Sequence, residues 1–291
     1  MKISVSSYSY QKLINAGSYT LFDVVDQSAR FGFAGVEFID GHFPSDKKEA
    51  LALAKKLRTV CGDAGLCIPS FTVGGNLLPN PELDNTLEVE RLKGMIDVAA
   101  ELGAPLLRHD AAWGFPAGYE WVRAFESVLP IMVEACIKIT EYAKSAGVGT
   151  MTENHGTFSQ ESDRLSALVA LVGNPNFGIL CDIGNFTCAD EDPRVAVGRV
   201  APMTKHVHAK DMHMKSGQMP DPGRGYFRSR GGNYLRGAII GHGDVPILPC
   251  LRALTAAGYD GQVSVEFEGM EDTLTGIEVG HENLKRYVAM V

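Results

Sequence analysis

Carboxylate and imidazole side chains stand near the ends of several short apolar runs in this chain. The clearest cases are Glu153 in TMTENHG, Asp182 in ILCDIGN, His208 in HVHAKD and Glu266 in SVEFEG. If these ends converge, the buried carboxylates are costly unless they are paired or bound to a cation. A divalent ion held by these three carboxylates and one imidazole is the simplest arrangement that satisfies them. Such a ligand set favours manganese, cobalt or magnesium over a thiolate-rich zinc site.

The alternation of side chains along a strand leaves the choice within each run open. Successive side chains point to opposite faces, so residues two apart share a face. The pairs that compete in this way are His206 and His208, Glu153 and His155, and Glu266 and Glu268. A single polar strand end can also cap a helix, and Lys210 and Asp211 can form a structural ion pair.

The elements that must position these residues are visible in the hydrophobic pattern. Short runs rich in Val, Ile and Phe span residues 3–9, 35–40, 68–73, 104–110, 148–155, 177–183, 205–211 and 262–268. Helical segments with apolar residues at i, i+3, i+4 and i+7 lie between them, and several close with a glycine suited to a helix C-cap, namely Gly65, Gly103, Gly147 and Gly258. Eight strand–helix units in 291 residues predict an α/β fold, a (β/α)8 TIM barrel that forms one domain over residues 1–291. An open doubly wound sheet is disfavoured, because no Gly-rich phosphate fingerprint follows the first strand.

Two segments interrupt the strand–helix rhythm. Residues 74–86 are rich in Gly, Pro and Asn, and residues 212–245 form a much longer excursion with several glycines and arginines. Loops of this length inside a compact domain are usually functional or mobile. We therefore expect the longer excursion to contribute to the functional site.

Composition and charge exclude several classes of protein. The chain has 45% hydrophobic and 21% charged residues, which is typical of a globular protein. It has 27 Lys and Arg against 35 Asp and Glu, a net charge of -8 that disfavours nucleic acid. No apolar run reaches the roughly 18 residues that span a bilayer, and the first residues lack a signal-peptide pattern. With six scattered cysteines, these features predict a reduced, cytoplasmic protein with no membrane or nucleic-acid partner.

The polar motifs resemble those of one enzyme superfamily. ENHG, CDIGN, HVHAKD and VEFEG occur in this order, together with SSYSY, GFAGVEF, LGAPLLRHD and GHGDVPI. Over essentially the whole chain this pattern resembles the sugar phosphate isomerase/epimerase superfamily, whose fold is the xylose isomerase-like TIM barrel. The resemblance implies one divalent metal ion, usually manganese with cobalt or magnesium as alternatives, bound by Glu153, Asp182, His208 and Glu266.

One position departs from the ketose 3-epimerases of this superfamily. Those enzymes carry a histidine three residues after the metal-binding aspartate, where this chain has Asn185. Asparagine keeps a hydrogen bond to substrate but cannot donate a titratable proton. Other branches share the barrel and the metal and act as lyases, either as C-glycoside deglycosidases or as inosose dehydratases. The abasic-site endonucleases bind three zinc ions through many more histidines, and this acidic chain with 8 His fits them poorly.

The chemistry that the non-nuclease branches share is removal of a proton next to a carbonyl. We therefore predict an isomerase or epimerase for a sugar or sugar phosphate that works through a metal-stabilised enediolate. Glu153 and Glu266 would act as catalytic bases as well as ligands. Elimination from a 3-oxo-sugar by a lyase is the alternative, and a sugar-binding or assembly subunit is the non-enzymatic alternative.

The remaining predictions concern what the site contacts. The residues expected to bind substrate are His109, His155, Asn185, Arg228 and Arg230. Arginine suits a phosphate through its paired donors, and Trp113 either forms an apolar wall against the sugar or packs a loop. The expected partners are a small carbohydrate substrate and a second copy of the chain in a homo-oligomer. If the lyase alternative holds, a small partner subunit is expected instead.

Overall fold

Parallel strands close into a barrel in the computed structural model, which describes residues 1–291. The eight barrel strands are β1 (Lys2–Ser6), β2 (Gly35–Ile39), β3 (Phe71–Val73), β4 (Leu106–His109), β5 (Gly149–Glu153), β6 (Phe177–Asp182), β7 (Thr204–Ala209) and β11 (Gln262–Val265). Neighbours follow in this order, and β11 pairs with both β7 and β1. The predicted TIM barrel is confirmed, and each barrel strand lies within or overlaps one of the predicted runs.

Helices surround the barrel and connect its strands. They are α1 (Gln11–Asn15), α2 (Leu21–Phe31), α3 (Lys47–Asp63), α4 (Thr86–Leu102), α5 (Phe125–Ser145), α6 (Ser162–Val172), α7 (Pro193–Val200), α8 (Ile247–Ala256) and α9 (Thr273–Val288). At the start of α2, Thr20 and Asp23 form a reciprocal capping box that satisfies free backbone donors. The glycines predicted to close helices all have positive φ, from 72° at Gly65 to 87° at Gly258.

The long excursion after β7 contains a small sheet of its own. The strands β8 (Asp211–Lys215), β9 (Phe227–Arg228) and β10 (Tyr234–Ala238) pair antiparallel in the order β8–β10–β9. Asp211 anchors this segment by accepting hydrogen bonds from the backbone N–H groups of Gly241 and Val245. The prediction that Lys210 and Asp211 form an ion pair is therefore wrong. The Asp211 carboxylate binds backbone N–H groups of the excursion, whereas Lys210 pairs with Glu266.

A continuous apolar core supports the rim on which the polar strand ends lie. It contains 68 buried residues in one cluster between the strands and the surrounding helices, so the chain has a single core. The six cysteines are free, and four of them are buried within the protein. None of the helices has the length and apolar character needed to cross a membrane.

Candidate metal centre

Four polar side chains meet where β5, β6, β7 and β11 end. These four residues, named the central cluster here, are Glu153, Asp182, His208 and Glu266, and one donor atom from each lies within 4.8 Å of the others. His208 Nδ1 is 3.9 Å from Glu153 Oε1 and 3.5 Å from Glu266 Oε2. Because Asp182 is the register partner of His208 in the β6–β7 pair, these two are adjacent on the same rim.

The central cluster fits a divalent cation. Asp182 Oδ2 and His208 Nδ1 are buried and have no hydrogen-bond partner. Lys210 Nζ lies 3.4 Å from Asp182 Oδ2 but without the alignment of a hydrogen bond. A buried polar atom without a partner costs about 1–3 kcal/mol. A cation among these oxygen and nitrogen donors removes that cost for both atoms.

His208 is held from the opposite side by Glu37. His208 Nε2 donates to Glu37 Oε1 at 2.9 Å, and His206 Nε2 lies 2.8 Å from Oε2 of the same carboxylate. Thr72 and Ser264 donate their hydroxyl protons to Glu37 as well. Glu37, His206 and His208, named the Glu37 cluster here, are all buried. With Nε2 bonded to Glu37, Nδ1 points at the central cluster. Burial acts to lower the pKa of His208, but Glu37 and Glu266 outweigh it and raise that pKa well above its usual range, so a metal ion displaces a proton from this imidazole.

Two buried cations flank the two glutamates of the central cluster. Arg108 Nη2 lies 2.6 Å from Glu153 Oε2 and 2.7 Å from Asp110 Oδ1. Lys210 Nζ lies 2.7 Å from Glu266 Oε2. Each glutamate therefore has a buried positive partner at ion-pair distance.

Burial and neighbouring charges act in opposite directions on the acids of the central cluster. Burial raises the pKa of Asp182 to about 7, with Lys210 opposing the rise and Glu266 adding to it. Burial acts to raise the pKa of Glu266 too, but Lys210 and His208 outweigh it and hold that pKa well below its usual range. In the metal-free protein, Asp182 is thus the carboxyl that retains a proton near neutral pH.

A cavity of about 580 Å³ opens over the central cluster, and Glu153 and Glu266 line it. The predicted substrate-contact residues that also line it are His155, Asn185, Arg228 and Arg230. Trp113 lines the cavity as well, with its ring edge-on to His155 at 5.0 Å between centroids. The position of Trp113 supports the predicted role as an apolar wall of the cavity over the role of packing a loop.

Asn185 is engaged with the residues around it. Its Nδ2 donates to Glu153 Oε1 at 3.0 Å, and its Oδ1 accepts from Lys210 Nζ at 3.2 Å. His155 Nδ1 lies 3.0 Å from Asp110 Oδ1, which places the imidazole against the cavity. Both side chains thus form part of the wall and bind the charged groups beside the central cluster.

The two arginines of the excursion are held by their own surroundings. Arg228 donates to the carbonyl of Gly232 at 3.1 Å, and its guanidinium lies 4.4 Å from the centre of the Tyr234 ring. Arg230 pairs with Glu161, which follows the loop after β5. These contacts fix the excursion against the rim and use part of the donor set of each arginine.

His109 does not line the cavity, in contrast to the prediction. Its ring is fully buried, 6.2 Å from the ring of Phe177, and its Nδ1 donates to the Asp110 carbonyl at 3.0 Å. Arg108, the preceding residue, faces the cavity instead. Neighbouring residues of a strand point to opposite faces, and the motif LLRHD does not show which one is inward.

Three residues that shape the centre were not among the predicted site residues, namely Glu37, Arg108 and Lys210. Glu37 lies in VEFID, one of the polar strand ends, but nothing local connects it to His208. Lys210 follows His208 at a spacing of two, and that shared face was the available signal.

Comparisons with known proteins agree with this architecture. A family model described as xylose isomerase-like TIM barrel matches residues 25–287. The chain is 23% identical over 262 residues to inosose dehydratase of Geobacillus thermodenitrificans, which covers 87% of this chain and 83% of that protein.

Solved structures of similar proteins show the same fold. The IOLI protein with a bound zinc atom aligns with a TM-score of 0.77 at 15% identity, over 100% of this chain and 99% of that chain. The apo form of 3-keto-D-glucoside 4-epimerase, YcjR, from E. coli aligns with a TM-score of 0.71 at 15% identity, over 98% and 99%. At these identities the structures support the fold alone, whereas the family model covers most of the sequence. The chain therefore belongs to the family of xylose isomerase-like TIM barrels.

Proposed function

We propose that the chain is a metal-dependent isomerase or epimerase that removes the proton next to the carbonyl of a sugar or sugar phosphate. The central cluster is the observation that carries this proposal, because its donor atoms lie within 4.8 Å of each other and two of them lack partners. A divalent ion bound there, with manganese expected and cobalt or magnesium as alternatives, acts as a Lewis acid and stabilises the developing enediolate charge.

Glu153 and Glu266 are the groups that hold and move the proton. They reach the cavity from β5 and from the end of β11, and β6 and β7 lie between these strands in the barrel. One carboxylate takes the proton from the carbon beside the carbonyl. The other returns it to the opposite face of that carbon in epimerisation, or to the adjacent carbon in isomerisation, where the hydroxyl proton also passes from one oxygen of the enediol to the other.

Elimination is the second candidate, and the position of Lys210 favours it. Its ammonium lines the cavity between Glu266 and Asn185. In an elimination a glutamate takes the proton beside the carbonyl, a carbon–carbon double bond forms, and the bond to the departing oxygen breaks. Lys210 is placed to protonate that oxygen, so water or an alcohol leaves. The relative named inosose dehydratase is, by that name, an enzyme that removes water.

Turnover in deuterium oxide distinguishes these reactions. The manganese-loaded protein would be incubated with ketoses, ketose phosphates, inososes and 3-oxo-glycosides, and the products analysed by NMR and mass spectrometry. Isomerisation or epimerisation introduces deuterium at the carbon beside the carbonyl and leaves the composition otherwise unchanged. Elimination gives an unsaturated carbonyl product and releases water or an aglycone.

The non-enzymatic alternative has a distinct outcome in the same experiment. A sugar-binding or assembly subunit would carry its metal ion and remain inert toward the whole panel. Metal analysis of the protein used is therefore part of the test, and we expect about one divalent ion per chain.

A further inference from the structure

A second cavity of about 320 Å³ lies beside the cavity of the central cluster. Its walls come from α1, from the β9–β10 part of the excursion and from the loop that follows β11. Tyr8, Phe227 and Glu268 line both cavities. Tyr8 Oη donates to Glu268 Oε2 at 3.3 Å, so the two cavities meet at this pair and at the exposed ring of Phe227. We name the second one the side cavity.

The polar side chains that line the side cavity include two amides, beside those of Ser9, Lys12, Glu268 and Thr273. Ser9 is already engaged, since its hydroxyl donates to the carbonyl of Val265 at 3.1 Å. Lys12 donates to the carbonyl of Gly269. The side-chain amides of Gln11 and Asn15 have no such partner within the protein. An amide both donates and accepts hydrogen bonds, as a sugar hydroxyl requires.

The other walls of the side cavity are aromatic or lack a side chain. Phe227 and Phe267 supply apolar faces, against which the carbon-bound hydrogens of a sugar ring can pack. Gly237 forms part of the wall where the excursion approaches the loop after β11. A Cβ at Gly237 would lie 2.7 Å from the backbone of Glu268, so only glycine permits this approach. The excursion and the barrel rim together form a cavity with amides and aromatic rings.

The charges around the side cavity favour a neutral group. The carboxylates that line the central cavity are Asp40, Asp110, Glu153, Glu266 and Glu268, and the basic residues are Arg108, Lys210, Arg228 and Arg230. Arg108 and Lys210 are already paired with carboxylates. The side cavity has Lys12 and Glu268 as its charged residues. The side cavity therefore has one charge of each sign and no excess positive charge for an anionic group such as phosphate.

We propose that the side cavity is a second subsite, which binds a neutral ring joined through a glycosidic bond to the sugar at the central cluster. This inference rests on the proposed function and deepens it, because it assigns the substrate to the glycosides, with a carbonyl on the ring nearer the metal. The cavity sizes agree, since cavities of about 300–1,000 Å³ accommodate drug-sized ligands. Gln11 and Asn15 bind hydroxyls of the second ring, and Phe227 packs between the two rings.

A binding experiment tests the subsite without requiring turnover. Isothermal titration of the manganese-loaded protein would compare glucose with four glucose disaccharides that differ in linkage, none of which has a ring carbonyl. We expect at least one disaccharide to bind ten times more tightly than glucose. The Gln11→Trp variant, which fills the side cavity, should reduce this preference below threefold. Asn15→Ala should reduce it in part, and it reports on the subsite even if Gln11→Trp fails to fold.

A matched control separates the subsite from general effects on the protein. Gln218→Ala removes an exposed amide in the excursion, outside both cavities, and should leave the preference for the disaccharide unchanged. Equal affinity for glucose and for every disaccharide in the wild-type protein overturns the second subsite. A preference that survives Gln11→Trp also overturns it.

A deuterium-exchange measurement keeps this inference distinct from the proposed function. The probes are 3-oxo-glucose and the 3-oxo derivative of the disaccharide that binds best. If both exchange at the same kcat/KM, the function is supported and the subsite is overturned. If the disaccharide binds selectively and neither these probes nor any member of the panel used to test the proposed function exchanges, the subsite is supported and the proposed function is overturned.

Discussion

The central cluster and the Glu37 cluster have similar residues, are both buried, and share His208. They differ in how their polar atoms are satisfied. Every carboxylate oxygen of Glu37 accepts at least one hydrogen bond from an imidazole or a hydroxyl group. In the central cluster, Asp182 Oδ2 and His208 Nδ1 have no partner.

This difference indicates that the central cluster is the one suited to binding an ion. The Glu37 cluster holds His208, one of the proposed ligands, in place. A cation at Glu37 would have to replace existing hydrogen bonds, whereas a cation in the central cluster supplies missing partners. The two clusters are coupled through one imidazole, because the bond from Nε2 to Glu37 leaves Nδ1 available as a ligand. Residue type alone does not distinguish a metal site from its support, but the hydrogen-bond inventory does.

The largest effect is expected from Glu153→Gln. This substitution removes a charged ligand and breaks the 2.6 Å ion pair with Arg108. We expect the purified variant to contain no stoichiometric metal and to lose deuterium exchange by at least about a thousandfold, as when a group central to catalysis is removed. Glu161→Gln, at the cavity rim, is the control for metal content. A fully loaded, active Glu153→Gln variant would show that Glu153 is not a ligand.

Glu37→Gln tests the supporting cluster and should have the next largest effect. The amide removes the charge that holds His208 and can donate where only an acceptor is wanted. Loss of the carboxylate that holds a metal-binding imidazole weakens metal binding by about 10- to 100-fold. Competition with a fluorescent chelator measures the affinity for Mn²⁺, and circular dichroism shows whether the barrel is intact. An unchanged affinity in a folded variant would mean that Glu37 does not position His208.

The pH dependence of metal binding provides a third test of the comparison. Burial raises the pKa of Asp182 to about 7, so below this pH the folded, metal-free protein holds a proton on this carboxyl that a metal ion must displace, in addition to the proton on His208. Affinity for Mn²⁺ should therefore rise at least about tenfold per pH unit between pH 5 and 7, and less steeply above. Titration calorimetry in buffers of different ionisation enthalpy would measure the released proton. An affinity independent of pH over this range would contradict the assignment.

The smallest effect is expected from Ser264→Ala. The Ser264 hydroxyl lies 3.2 Å from Glu37 and 2.9 Å from His206, and both of these residues keep their bond to each other. We expect the affinity for Mn²⁺ to change by less than about threefold and the free energy of unfolding to fall by about 1 kcal/mol. Chemical denaturation measures the second quantity. A loss of metal binding as large as that of Glu37→Gln would mean that the Glu37 cluster positions His208 only when all of its hydrogen bonds are present.

Local sequence patterns predicted the barrel and the polar strand ends at its rim, and the family resemblance selected the four side chains that meet there. Glu153, Asp182 and His208 each lie at the end of an apolar run long enough to be read as a buried strand, and Glu266 lies just beyond the last run's strand. In a parallel barrel the carboxyl ends of all strands lie on one rim, so residues at these ends converge whatever their distance in sequence.

The supporting contacts were not predictable because they depend on register and on long-range pairing. Glu37 and His208 are 171 residues apart, and neither motif refers to the other. Arg108 and His109 are neighbours, and a shift of one residue in the inward face exchanges their roles. The sheet in the excursion was also missed, since its short strands mix polar with apolar residues and lack the apolar run that marks the barrel strands.

Crystals of the manganese-loaded protein, measured at the manganese absorption edge, test the central claim most directly. We predict one anomalous peak per chain at about 2.0–2.3 Å from the donor atoms of Glu153, Asp182, His208 and Glu266, a separation typical of a divalent ion and its ligands. Glu37 should remain hydrogen-bonded to His208 Nε2. A peak between Glu37 and His206, or no peak in the central cluster at saturating metal, would contradict the account.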